Sequence, residues 1–119
     1  MAPLETAIRE LRHILAADST APEWRWNVRR RLSDVRDALS RPHGRQPEAW
    51  LDARATLSER DRFQLHARVV ALSTGVLDRL SGEAILHETG RLLGDLEHHV
   101  QRVHDLVYDS VSLELGGSE

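Results

Sequence analysis

The run 83-EAILHETGRLLGDLEHHVQRVHDLVYDSVSLEL-115 decides the fold. Its apolar or small residues recur at Ile85, Thr89, Leu92, Leu96, Val100, Val103, Val107 and Val111. These steps of three and four trace one face of an α-helix. No proline interrupts the run, and Gly116-Gly117 supply a stop. The spacing predicts one helix of about 30 residues, roughly 45 Å long at ~1.5 Å per residue.

Working back from that helix, Leu65, Val69, Leu72, Val76 and Leu80 make a second stripe, with Phe63, Val70 and Leu77 on another side. A helix apolar over so wide an arc is expected to be the most enclosed one, or to touch a second subunit. It opens after Pro47-Glu48, and Trp50, Leu51 and Leu57 mark its first turns. Ser58-Glu-Arg-Asp61 reads as a capping box inside it, which predicts a break or kink there. The stripe carries it through Ser73-Thr-Gly75 to Leu80, with Ser81-Gly82 as the turn.

Further upstream, Thr20-Ala-Pro-Glu23 reads as a capping box with proline in the first turn. Trp24, Val28, Leu32, Val35 and Leu39 then predict a helix from about Ala21 to Ser40. Arg41-Pro42-His43-Gly44-Arg45-Gln46-Pro47 is a loop by composition. At the start, Pro3 opens a helix whose stripe is Leu4, Ile8, Leu11 and Leu15, and which frays near Ala17-Asp18. Four helical segments on short connections predict an all-α, up-down-up-down four-helix bundle, one domain spanning residues 1–119, with a long C-terminal helix.

Composition narrows the function classes. The 119 residues contain no cysteine, which excludes disulfides, thiolate metal sites and cysteine nucleophiles and fits a cytoplasmic location. The N-terminal MAPLETAIRELRHIL carries charge inside its apolar pattern, unlike a signal peptide. No apolar run approaches the length of a membrane span. All 16 basic residues are arginine, and the net charge is -3. Residues 20–45 hold seven arginines against Glu23, Asp34 and Asp37, a net +4. Residues 83–119 hold Arg91 and Arg102 against eight acids, a net -6. These two segments are expected to attract, within the fold or between copies.

Trp26 falls on the face opposite Trp24, among Arg25, Arg29 and Arg30. Arginine stems covering the indole would explain it, and so would an interface, where Trp and Arg concentrate binding energy. Seven histidines in a helical chain also raise the question of a metal site. His66, His99 and His104 are the candidates nearest the buried stripes, while His13 and His43 are expected in water. With Leu96 at the centre of the last helix's buried face, His99 lies at its flank, within a turn of Asp95. His104 falls at the edge, and Asp109 on the opposite flank. Gly90 and Gly94 form a GxxxG, which predicts a close helix approach.

The ending HHVQRVHDLVYDSVSLELGGSE resembles that of small uncharacterised helical-bundle proteins of GC-rich bacteria, and EWRWNVRRRLSDVRDAL resembles their second helix. Those proteins are similar to hemerythrin-like four-helix bundles, which hold two irons on His, Glu and Asp. The resemblance implies a bundle, with non-haem iron as a possible cofactor. His104 to Asp109 keeps an HxxxxD spacing and His66 could match the isolated histidine of the third helix, but no HxxxE pair occurs.

No phosphate-binding glycine loop, nucleophile elbow or HExxH is present, so no catalytic residues are assigned and an enzyme is not expected. The expectation is a non-enzymatic helical interaction or assembly protein without a cofactor, a homodimer that can also hold a protein partner. Its interface residues are Trp26, Arg29, Arg30, Leu106, Val111, Leu113 and Leu115. A degenerate hemerythrin-like metal or oxygen-responsive protein is the alternative. A regulator of nucleic-acid machinery follows, disfavoured by the negative net charge.

Overall fold

A computed structural model describes the backbone of residues 3–40 and 52–117 and the side chains of residues 3–40 and 57–106. It contains four helices, α1 (Pro3–Leu15), α2 (Trp24–Ser40), α3 (Asp52–Val76) and α4 (Gly82–Gly117), and no strand among the described residues. Each helix packs on its two neighbours in a closed ring, α1 on α2, α2 on α3, α3 on α4 and α4 back on α1. Every neighbouring pair is antiparallel. Arg31 of α2 bonds Glu10 of α1, and Ser40 at the end of α2 bonds His66 near the middle of α3. On α4, Asp95 bonds Arg68 of α3 and Glu97 bonds Arg12 of α1. This is the up-down-up-down bundle that the stripes predict.

The core is one cluster. Ile8 and Leu11 of α1, Trp24, Val28, Leu32, Val35 and Leu39 of α2, Leu65, Val69 and Val76 of α3, and Ile85, Leu92, Leu93 and Leu96 of α4 are all buried. Trp24 fills the end between α1 and α2. Its indole Nε1–H donates to the Ile14 carbonyl at 3.1 Å, which satisfies the one polar atom this side chain carries inward.

Several boundaries differ from expectation, each for a local reason. The Thr20–Glu23 box does not cap α2. Asp18 takes the Thr20 hydroxyl at 2.7 Å and the Thr20 N–H at 2.9 Å, and α2 begins only at Trp24. Those two donors hold the Asp18 carboxyl below its usual value. The second box leaves α3 unbroken from Asp52 to Val76, because the Asp61 carboxylate is engaged by His99 and Arg102 of α4. The C-terminal end of α3 comes at Val76, short of Leu80. The Gly75 carbonyl accepts from the N–H groups of Arg79 and Leu80, and the Arg25 guanidinium caps the carbonyls of Val76 and Leu80 at 2.8 and 2.6 Å. A Cβ at Gly75 would stand 3.1 Å from the Leu80 side chain, so a larger residue there would have to push Leu80 aside by a few tenths of an ångström. Ser81 then caps α4 through its hydroxyl, which accepts from the Ala84 N–H at 3.1 Å.

Two longer-range expectations also change. Among the described residues the basic and acidic segments do not pack side by side within the chain, since α2 and α4 stand at opposite corners of the ring, which leaves attraction between copies. Their charges are answered along the edges instead, by α1 and α3. Nor do Gly90 and Gly94 mark a close helix approach, for a Cβ at either would meet nothing within 4 Å.

The bundle is not four helices deep throughout. Glu5, in the first turn of α1, meets His104, and the last residues of α2 meet Arg62 and His66. Beyond those levels α3 continues back to Asp52 and α4 on to Gly117. The molecule measures 60 × 21 × 20 Å, with a radius of gyration of 16.7 Å. A compact chain of this length would have a radius of gyration of about 13–14 Å.

Candidate interaction surface

The outer side of the α2–α3 pair carries Trp26, Phe63, Val70 and Leu77, four of the six large apolar residues exposed among the described ones, the other two being Leu57 and Leu86. Core residues of α2 fall on one side of the helix, which turns Trp26 outward, and it stays 60% exposed. The Arg29 guanidinium lies over its ring, 5.7 Å from the centroid. Arg30 is exposed and has no acidic partner among the described residues, while Arg36 pairs with Asp37 and Ser33. On α3, Phe63 is 72% and Val70 39% exposed, and Leu77, in the turn just past its end, is 38% exposed. Their seven-residue spacing keeps them on one stripe, turned away from Leu65, Val69 and Val76 in the core. This helix is therefore not the enclosed one. Ser73 joins Trp26, Asn27, Arg29, Arg30, Ser33 and Arg36 around a concavity of about 470 Å³. At the other end of the seam Phe63 and His66 line a second hollow with Leu39, Ser40 and Arg62. The face thus reads as an apolar strip with a basic rim on its α2 side.

The three candidate histidines are not brought together. The His66 ring shares a 3.1 Å hydrogen bond with Ser40 of α2. His104 is exposed and bonds Glu5 of α1 at 2.9 Å. His99 is buried, at 1% exposure, and its partner is Asp61 of α3 at 2.9 Å rather than Asp95, which is taken by Arg68. No group of three or more His, Asp or Glu residues among the described ones could hold a metal ion, so these residues do not fit a di-iron centre. The side chain of Asp109 and the whole of His43 lie outside the described residues.

Asp61 is the residue that sequence reasoning missed. Burial pushes its carboxyl up, but hydrogen bonds from Arg102 and His99, with the charge of Arg102, outweigh this and hold it below the usual 3.8. A carboxylate on Nδ1 leaves Nε2 open, the arrangement that prepares a base or a metal ligand. Here Nε2 is buried without a hydrogen-bond partner among the described residues, as is the Thr89 hydroxyl. The ring is 1% exposed, and the trio of Asp61, His99 and Arg102 ties α3 to α4.

Of the remaining interface expectations, Leu106 is half-buried and lines a shallow hollow with Leu57, Ser58, Arg102 and Asp105 where α3 and α4 outrun the other helices. The side chains of Val111, Leu113 and Leu115 lie outside the described residues. No helix among the described residues is long and apolar enough to cross a membrane. Comparison with known proteins finds no matching family model, no matching curated protein and no matching solved structure.

Proposed function

We propose that this protein is a non-enzymatic helical interaction protein that docks a protein partner through the outer α2–α3 face. One observation carries the reading: Trp26 and Phe63 stand 60% and 72% exposed on a face bordered by outward arginines. Large aromatics and arginine concentrate binding energy at interfaces, and a free chain gains nothing by leaving them in water. The cysteine-free composition suits a reducing cytoplasm as the place where it works. Affinity capture from cells that express the protein, with wild type and Trp26→Ala side by side, tests the reading. A partner retained by the first and lost by the second supports it, while identical partner sets for both reject it.

Self-association is a second reading, favoured by the projection of α3 and α4 beyond α1 and α2. In that reading two copies join at their projecting ends as a homodimer, and light scattering decides it.

A further inference from the structure

We infer that the partner segment accepted by the α2–α3 face is an acidic amphipathic helix of another protein. The inference rests on that face being the interface and specifies its occupant. Both walls are helices and no sheet edge is available among the described residues, so strand addition has no template. Phe63 and Val70 lie about 10 Å apart along α3 at ~1.5 Å per residue, and Leu77 follows in the turn just past its end, a strip that a helix with apolar residues at i, i+4 and i+7 can cover. Ser33 and Ser73, at the hollow beside Trp26, are small enough for a large side chain to enter between the helices.

Charge selects the sign of the partner. Arg29 and Arg30 point outward beside Trp26, and Arg36 follows them along α2. Asp37 is answered by Arg36, and Asp34 by Arg31. A carboxylate-bearing helix edge would meet the guanidinium groups and add charge-assisted hydrogen bonds.

A second copy is a poor occupant. Two-fold pairing of this face would bring two arginine rows into one interface. The acids of α4 stand at the opposite corner, and of the described α4 residues only Leu86 is a large exposed apolar one. Nucleic acid fits less well too, since the apolar stripe would be left wet beside a phosphate backbone.

A library of helix-forming peptides with unbiased charge, displayed on phage and selected on the full chain, tests this directly. Selected sequences are expected to be acidic, with apolar residues at i, i+4 and i+7. Their affinity should fall roughly 30-fold for Trp26→Ala, the level of a hot-spot residue. It should also weaken as salt is raised, and the Arg29→Glu/Arg30→Glu double variant should flatten that salt dependence. Selected peptides that are neutral or basic, yet still need Trp26, would overturn the acidic partner and leave the interface standing. Failure to select any peptide, or peptides that bind Trp26→Ala as well as wild type, would overturn both. Retention of a single-stranded oligonucleotide that competes with the selected peptides would replace the partner class by nucleic acid.

Discussion

Trp24 and Trp26 are two positions apart on α2 and do opposite work. Trp24 is 2% exposed and donates to Ile14, so Trp24→Ala is expected to cost about 3–5 kcal/mol in chemical denaturation. Trp26→Ala should stay within about 0.5 kcal/mol of wild type in the same measurement, as surface changes usually do. Helical phase alone separates these two residues, which is why both were legible in the sequence. The role of Asp61 was not. A carboxylate three residues after a serine looks like a local cap, and only the approach of α4 turns it toward His99 and Arg102. Phase likewise put His99 on the boundary near Asp95, because it cannot tell which neighbouring helix will cover a flank. Since Asp61 titrates below 3.8 in the folded chain, its ionised form favours folding above that value. That contribution is lost as pH falls from 3.8 through the lower folded value. Asp61→Asn should therefore lower stability at neutral pH by about 1–3 kcal/mol, through weakened bonds to a buried ring and a guanidinium. It should also reduce the loss of stability over the acid limb. Urea melts from acid to neutral pH check both, and an acid limb as steep as that of wild type would rule out this role for Asp61.

At the scale of the helix, the stripes located all four elements, and the errors are at their ends. Periodicity extended α3 to Leu80 because Leu80 does pack against the core, but from the turn after the helix. The glycine in Ser73-Thr-Gly75 was the better guide, since its carbonyl takes both turn amides. In α4 the opposite happened. Gly90 and Gly94 look like a packing motif, yet the space for a methyl group at each is open. Both are helix-interior glycines with no positive φ, so they carry the entropic cost of glycine with no packing gain. Gly90→Ala and Gly94→Ala are each expected to stabilise the fold by roughly 0.5–1 kcal/mol, read as a shift in the denaturant midpoint at unchanged slope. Destabilisation by either would mean that another surface approaches α4 there.

The whole molecule raises a question that its parts do not. Among the described residues the bonds from α1 to α4 reach as far as Glu5 and His104, and the remaining turns of α4 continue past that level to Gly117. The sequence of that part, with Val107, Val111, Leu113 and Leu115, stays as apolar as the buried part before it. An extended end of this composition is expected to be covered, and a two-fold axis lets one projecting pair of helices complete itself with another. We therefore expect a homodimer in multi-angle light scattering at micromolar concentration. A mass of one chain across the concentration series would reject it. Truncation after Asp109 then locates the contact. A soluble monomer, or a monomer of reduced solubility, places the interface on the removed turns. An unchanged dimer would move self-association to the α2–α3 face. There it would compete with the acidic helix, so excess peptide would have to dissociate the dimer. If the truncated chain is monomeric and still binds the selected peptides with unchanged affinity, the two surfaces are independent. One end of the bundle would then serve assembly, and the face between Trp26 and Leu77 would serve the partner.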